Sequence, residues 1–230
     1  LKEQNGGRTL GALGASRASN EENYLLQRFV RSVLGSNNID SGARLRGAAL
    51  LAGIERVLGC GAMSHPISHI REAEEILVVG ADPLAVSPIL GQTIKQAVRI
   101  EGAHLTLVDP LPRSLDRGFA DTWIRPAPGT QPIFLAGLHN EMLKVGTSAR
   151  AKEALGEEGL ARIRAEVERF TPERVEDLAG VPARLLKDRA GRFASGRRLA
   201  VIPGAGIAQE EGASQSGSLL AIILLISGDP

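Results

Sequence analysis

The sequence predicts an α/β protein on a doubly wound, mostly parallel sheet, and three observations carry that expectation. The runs Glu75-Ile76-Leu77-Val78-Val79-Gly80-Ala81-Asp82-Pro83 and Leu105-Thr106-Leu107-Val108-Asp109-Pro110 are apolar, partly β-branched, and stop at a small or acidic residue. A helix-length segment separates them, as expected of parallel strands joined by a crossover and buried on both faces. A third run, Arg198-Leu199-Ala200-Val201-Ile202-Pro203, leads into Gly204-Ala205-Gly206, and strand and helix patterns alternate along the chain. In an open sheet of this kind, ligands bind beyond the carboxyl ends of the strands.

The remaining elements follow from local signals. Thr9-Leu10-Gly11-Ala12-Leu13-Gly14 reads as a short strand running into a glycine turn. Ser19 or Asn20 can cap a helix with Glu21 and Glu22 in its first turn. Tyr24, Leu25, Phe29, Val30, Val33 and Leu34 form its apolar stripe, and Gly35 ends it. A partly apolar helix is expected from Arg44 to Leu58, and a crossover helix from Pro88 to Arg99. A short helix is expected over 113–119, and a strand at Thr122-Trp123-Ile124-Arg125. Thr130 is placed to cap a helix reaching Leu143. Residues 149–170 read as a charged surface helix or pair of helices. Thr171-Pro172-Glu173 opens the next helix, Val181-Pro182 leads another to about Ser195, and Ser214 or Ser216 opens a terminal one.

Composition narrows the function. The 230 residues suit one large or two small domains, and the net charge is +1, from 27 basic and 26 acidic residues. A nucleic-acid backbone partner would need a basic excess. Aromatics are only 3% of the chain, too few for a base-stacking platform. The single cysteine, Cys60, excludes an internal disulfide and a cysteine-only cluster within this chain. The apolar run 219–226 falls short of the ~20 residues of a membrane span and reads as a core helix. An apolar face left open there would expect a partner domain. Leu1 is not a start methionine, and Gly228-Asp229-Pro230 follows straight after an apolar helix. The chain therefore reads as a piece of a longer polypeptide.

Candidate ligand positions cluster after the predicted strands. Asp82 and Asp109 are placed to accept hydrogen bonds from ribose hydroxyls or a purine edge, or simply to stop a strand as Asp-Pro turns. The loop Gly80-Ala81-Asp82 offers backbone donors, but no Walker Lys-Ser/Thr follows. Gly204-x-Gly206-x-x-Gln209 lets a backbone approach a ligand closely, yet Gln209 breaks the dinucleotide fingerprint. Pro128-Gly129-Thr130-Gln131 gives a tight turn with a side-chain amide. Pro66 splits His65 from His69, which weakens a shared metal-binding face, and no nucleophile elbow exists. From the residues alone this is a nucleotide-binding α/β protein with no visible catalytic group.

An ordered series of pieces resembles the molybdopterin oxidoreductases. They are Asn20-Glu21-Glu22-Asn23-Tyr24, Asn37-Asn38-Ile39-Asp40, Ala43-Arg44, Gly59-x-Gly61-Ala62-Met63, Ile76 to Gly80, and Val108-Asp109-Pro110. Arg125-Pro126 with Pro128-Gly129-Thr130, Phe170-Thr171-Pro172-Glu173-Arg174-Val175, Gly180-Val181-Pro182 and Gly204-x-Gly206-x-x-Gln209 complete the series. The chain is most similar to formate dehydrogenase alpha subunits and to the large G subunit of NADH-quinone oxidoreductase. The resemblance implies the central domains of a formate dehydrogenase/DMSO reductase-like fold. It also implies molybdenum or tungsten held by the dithiolenes of two molybdopterin guanine dinucleotides, and iron–sulfur clusters in parts of the polypeptide outside this chain. By resemblance, Gly80, Ala81, Asp82, Asp109, Gly129, Thr130, Gly204, Gly206 and Gln209 bind the cofactor. No catalytic or metal-ligating residue is assigned.

Three departures qualify that picture. Arg46 stands where the family's metal-ligating cysteine or selenocysteine is found, and an arginine offers only donors. Gln131 replaces an aspartate suited to guanine, and Leu111 replaces a phosphate-pairing arginine. The expected function is electron transfer between a small substrate or NADH chain and iron–sulfur clusters. The alternative is a non-catalytic structural domain of a respiratory NADH dehydrogenase complex that has lost the molybdenum cofactor. Partners would be other domains of the same polypeptide and subunits of a respiratory or dehydrogenase complex, with no nucleic acid and no direct membrane insertion. The expected location is cytoplasmic, with membrane association only through such a complex. Residues 1–65 are expected to belong to a first, incomplete cofactor domain, 66–215 to a nucleotide-binding domain, and 216–230 to an apolar helix returning to the first.

Overall fold

Parallel strands organise both parts of the chain, which a computed structural model describes over residues 2–228, the side chain of Leu45 aside. The expectation about the chain's ends rests on Leu1, Asp229 and Pro230, which lie outside the described residues. Contacts divide the chain into a unit up to Ala48 and a larger unit from Ala49.

In the first unit, α1 (Lys2–Asn5), β1 (Ala12–Gly14), α2 (Asn20–Phe29) and β2 (Ile39–Ser41) precede the start of α3 (Gly42–Leu58). Strands β1 and β2 pair in parallel, Ala12 opposite Ile39 and Gly14 opposite Ser41. Ser19 caps α2 in a capping box: its hydroxyl accepts the Glu22 N–H at 3.1 Å, and the Glu22 carboxylate accepts the Ser19 N–H at 2.7 Å. The helix continues as a π-turn, Val30–Leu34, until Gly35 takes a left-handed φ of 68°. The apolar stripe is there, but only Val30 is buried; Tyr24, Leu25, Phe29 and Val33 are exposed. Helical spacing thus places the stripe on one face without burying it.

The second unit holds β3 (Glu75–Val79), α4 (Pro83–Val86), α5 (Pro88–Arg99), β4 (His104–Val108), β5 (Thr122–Ile124) and α6 (Gln131–Val145). It continues with α7 (Ala149–Val167), α8 (Pro172–Ala179), α9 (Ala183–Phe193), β6 (Leu199–Pro203), α10 (Ala205–Ala208) and α11 (Ala213–Ser227). Its four-stranded sheet has the order β5-β4-β3-β6, every pair parallel. Side chains alternate between the faces, as the strand period requires. Ile76, Val78, Leu105 and Leu107 pack in one core layer with Ile94 and Ala97 of α5. Leu77, Val79, Val108 and Ile124 pack in the other, with Phe134 and Leu138 of α6 and Leu186 of α9. Covering both faces explains why the strands read as unbroken apolar runs.

Helix α11 is buried along most of its length, including Leu220 to Ile223, Leu225 and Ile226. It crosses α3 closely: a Cβ on Gly217 would sit 2.1 Å from the Leu50 carbonyl oxygen, and one on Gly53 1.9 Å from that of Ser214. The open apolar face expected over 219–226 is therefore filled by α3 and α6. One other expectation changes. Residues 114–119 form turns rather than a helix, with Gly118 at φ 80° breaking any helical course. The charged stretch is two helical segments joined at Gly156, whose φ of 64° kinks it. Among the described residues, no helix is long and apolar enough to cross a membrane.

Candidate functional site

The chain lays down β3, β4 and β5 in one direction and then returns to place β6 on the other side of β3. That reversal opens a crevice at the carboxyl ends of β3 and β6, the usual ligand position in such sheets. Gly80, Asp109, Arg125 and Gly204 follow directly after the four strands.

Two glycine loops interlock there. The Gly204 N–H donates to the Val79 carbonyl at 2.9 Å, and the Gly206 N–H donates to that of Gly80 at 2.8 Å. A Cβ on Gly204 would lie 2.4 Å from that of Ala81, and one on Gly206 2.7 Å from the Gly80 oxygen. Gly80 adds a left-handed φ of 59°, and its Cβ would meet the Ile207 nitrogen at 2.5 Å. The sequence suggests that Gly204 and Gly206 admit a ligand. What they admit first is the neighbouring loop, and this locks the floor of the crevice. Gly129 differs: its φ is 80°, but the space a side chain would fill is open.

Acidic and amide groups line this floor. Asp109 is 2% exposed; its Oδ1 accepts the Leu111 N–H at 2.9 Å. Its Oδ2 lies 2.8 Å from Arg113 Nε, so the charges pair, although the N–H is misaligned and neither atom completes a hydrogen bond. Trp123 Nε1 donates to the Asp109 carbonyl at 3.0 Å, and the Arg125 guanidinium lies over the indole ring. Asp82 Oδ2 accepts from the backbone N–H and hydroxyl of Ser114, at 3.1 and 2.8 Å, while its Oδ1 is buried without a partner. The Thr130 hydroxyl donates to the Ala127 carbonyl at 2.7 Å and does not cap α6, because its ψ of 8° is not the extended backbone a cap needs.

Gln131, 1% exposed, opens α6 and donates through Nε2 to Glu210 Oε1 at 3.0 Å. Its Oε1 points toward Gly80, 3.1 Å from where a Cβ would sit, and has no donor. Glu210 Oε2 is also buried without a partner in hydrogen-bonding geometry. Burial pushes the Glu210 carboxyl above its ordinary value, the Gly129 N–H draws it back, and the negative charge of Asp109 pushes it up further. Gln209 ends α10 with its side chain exposed.

The topology thus gathers Gly80, Ala81, Asp82, Asp109, Gly129, Gly204 and Gly206 on one rim. Thr130 turns its hydroxyl back into its own loop, and Gln209 faces outward. Glu210 and Arg113 are polar members of this rim that the sequence reading passes over. The acidic pair Glu210-Glu211, placed just after a glycine loop, is the only local signal for the first.

Arg46 lies in the other unit, exposed, with Nε donating to the Gly42 carbonyl at 3.2 Å. Among the described residues no group of three His, Cys, Asp or Glu side chains could hold a metal ion. A hollow of about 480 Å³ beside β6 is lined mainly by apolar residues such as Leu51, Ile54, Ile202 and Leu220. It has no cluster of unsatisfied polar atoms, so the rim with its bare acceptors is the better candidate.

Comparison with known proteins covers nearly the whole chain. The family model for molybdopterin oxidoreductase matches residues 1–224. Formate dehydrogenase H of Escherichia coli is 32% identical over 227 residues, covering 98% of this chain and 32% of that protein. A formate dehydrogenase alpha subunit of Methanocaldococcus jannaschii is 27% identical over 220 residues, covering 96% and 32% respectively. The chain thus spans about a third of the length of these curated relatives. Among solved structures, acetylene hydratase from Pelobacter acetylenicus superposes with a TM-score of 0.74 at 20% identity, covering all of this chain and 31% of that one. That superposition shows a shared fold.

Proposed function

Because this chain belongs to the molybdopterin oxidoreductase family, we propose that its larger unit cradles the nucleotide end of a molybdopterin guanine dinucleotide, as the central part of an oxidoreductase resembling formate dehydrogenase. The observation that carries this reading is the gathering of acceptor groups at the switch point: Asp82, Asp109, Gln131 and Glu210 each keep an oxygen without a complete hydrogen bond, although Arg113 pairs with Asp109 and the Gly129 N–H draws on Glu210. Buried polar atoms in folded proteins are nearly always satisfied. A rim this rich in acceptors suits a ligand rich in N–H and O–H groups. A nucleoside has both, in its ribose hydroxyls and its base.

The residues divide the work by position. The interlocked glycines Gly80, Gly204 and Gly206 hold the floor rigid and bring Ala81 against it. Asp82 and Asp109 present carboxylate oxygens to hydroxyl donors. Gly129 offers a loop with open space beside it. Arg113, held by Asp109, supplies a cation two residues beyond Leu111, where the family's arginine is missing. Gln209 and Thr130 would contribute only after turning from the positions they occupy. When bound, the cofactor supplies a molybdenum or tungsten centre for oxidation and reduction, and the protein's share is binding and electrostatics. Iron–sulfur clusters would come from other parts of the polypeptide, because Cys60 is the only cysteine here.

Arg46 favours a second reading. An exposed arginine bonded to its own helix, in place of a thiolate, suits a domain that keeps the fold as a docking module of a respiratory NADH dehydrogenase complex. One experiment separates the two: assay of molybdenum and tungsten, with acid extraction of guanine nucleotide, on the full-length protein from its native host. Stoichiometric metal and guanine nucleotide support the oxidoreductase. Their absence from a folded protein overturns the cradle reading and leaves the structural domain.

A further inference from the structure

We infer that His65 and His69 form a two-imidazole site for a late first-row divalent cation, Cu²⁺ before Zn²⁺, at the mouth of the hollow beside β6. The inference stands apart from the nucleotide-cradle reading and shares no residue with it. Pro66 between the two histidines speaks against a shared α-helical face. The structure joins them another way. Pro66 is extended, with φ −61° and ψ 153°, and precedes a 3₁₀ helix, Ile67–Glu72. Its carbonyl accepts the His69 N–H at 3.0 Å, which closes the first tight turn and brings His69 back beside His65. The ring centroids then lie 5.6 Å apart, with the planes tilted by 44°.

That separation suits two rings on one ion. A metal sits about 2.0–2.1 Å from an imidazole nitrogen, hence roughly 3.2 Å from the ring centre, so two rings on a tetrahedral ion have centres roughly 5.2 Å apart. A small rotation of either side chain closes the difference. Both side chains are exposed and line the hollow, so an ion reaches them from solvent. The Ser64 hydroxyl lies 3.1 Å from His65 Nδ1, so it can accept the Nδ1–H bond and leave the Nε2 lone pair for an ion. Imidazole nitrogens suit copper, zinc and nickel over magnesium or calcium, and for one donor set copper binds before zinc. Glu72 lines the same hollow, but among the described residues it completes no three-ligand group with the histidines. Water or a small donor molecule therefore fills the other positions, and a hollow of about 480 Å³ leaves room for it. Arg198 on the same wall lies 3.9 Å from the Glu74 carboxylate, which offsets its charge toward a cation.

The test uses the full-length polypeptide, washed with a chelator and titrated with Zn²⁺ by calorimetry. Wild type should show a zinc site that weakens about a hundredfold in His65→Ala and in His69→Ala alike, because each change removes one arm of a two-armed hold. Cys60, exposed on the same loop, is a competing donor, and Cys60→Ser should keep the site within a few-fold. Pulsed electron paramagnetic resonance with an equivalent of Cu²⁺ should count two imidazoles in wild type and one in either histidine variant. A wild-type spectrum with fewer than two imidazoles overturns the inference without any variant. So does the absence of a zinc site, zinc binding unchanged in both histidine variants, or zinc binding that follows Cys60. Each of these outcomes leaves a plain contact between two exposed rings, which has the same spacing and holds no ion.

Discussion

Glu75 opens β3 at the amino rim of the sheet, and Glu210 follows β6 at the carboxyl rim. Glu75 is fully buried, yet Arg192 and Arg197 both reach it, so its charge is paired twice over. Nearby, Glu74 accepts the Arg198 N–H at 3.1 Å. At the other rim Glu210 shares one oxygen with Gln131 and is otherwise drawn on only by the Gly129 N–H, and Asp82 leaves one oxygen without a donor beside Ser114. The amino rim is self-sufficient and the carboxyl rim is incomplete. A protein gains nothing in stability from bare buried acceptors. Their place, where parallel sheets bind ligands, is what the proposed nucleotide cradle would use, whereas the paired arginines serve the fold.

The comparison breaks most visibly at the glycine lock. Gly80→Ala must hold a side chain at φ 59° against the Ile207 nitrogen. It should cost about 3–5 kcal/mol of stability, measured by denaturant unfolding, from left-handed strain and overpacking together. An Ala variant as stable as wild type would mean that the two loops can part, and that the carboxyl rim has no rigid floor.

His139 gives a marker away from both rims. It is fully buried between α6 and α11; its Nε2 donates to the Leu219 carbonyl at 2.7 Å and its Nδ1 has no partner. Burial lowers its pKa from 6.5 to about 4, with the Leu219 bond opposing. A base whose folded pKa is depressed binds protons more readily when unfolded. Its contribution is therefore complete above pH 6.5 and is lost as pH falls toward 4. That gap corresponds to roughly 3 kcal/mol. Unfolding curves between pH 7 and 4 should show this loss in wild type and much less of it in His139→Asn. Equal slopes would mean that His139 is not buried neutral.

At the amino rim the two sides of one ion pair should behave differently. Arg192→Met leaves Glu75 buried with Arg197 alone and should cost about 2 kcal/mol, below the usual penalty for a stranded charge because one partner remains. Glu75→Gln leaves two arginines that are partly exposed and can turn to water, and should cost about half as much. The reverse order, in thermal melts of both variants, would show that the amino rim is not held by burial of the carboxylate.

How much of this was legible in the sequence depends on the range of the signal. Strands β3, β4 and β6 announced themselves because both faces are covered, and the run 219–226 announced α11 because α3 and α6 enclose it. Asp82, Asp109 and the glycine loops were legible because strand ends and turns are local. The role of Gly204 and Gly206 was half legible: glycine says that something comes close, but only the fold says that it is the Gly80 loop. Thr130 reads as a cap, yet backbone angles decide that and no residue type reports them. The Gln131–Glu210 pair was hidden for a stronger reason. It joins residues 79 positions apart on different loops, and a substitution at 131 reads as a loss until the partner's place is known. The exposed stripe of Tyr24, Leu25 and Phe29 shows the same limit in reverse, since periodicity fixes a face and says nothing about what covers it.

The smallest effect should have the opposite sign to the others. The Glu210 carboxyl is raised by burial and by Asp109, so the folded protein holds its proton longer than the unfolded chain does. Its contribution is complete below the unfolded value and is lost as pH rises through the folded one. Near neutral pH the ionised Glu210 is therefore a cost that Gln would not carry. Glu210→Gln should stabilise the protein at pH 7, by no more than about 1 kcal/mol because solvent partly screens the site, and the gain should vanish near pH 4. Thermal melts at the two pH values decide this. A loss of stability at pH 7 would place Glu210 with Glu75, as a structural carboxylate whose bonds hold the fold. A gain would mean that the chain keeps at residue 210 a charge that folding disfavours, which is what a group held for a ligand should look like.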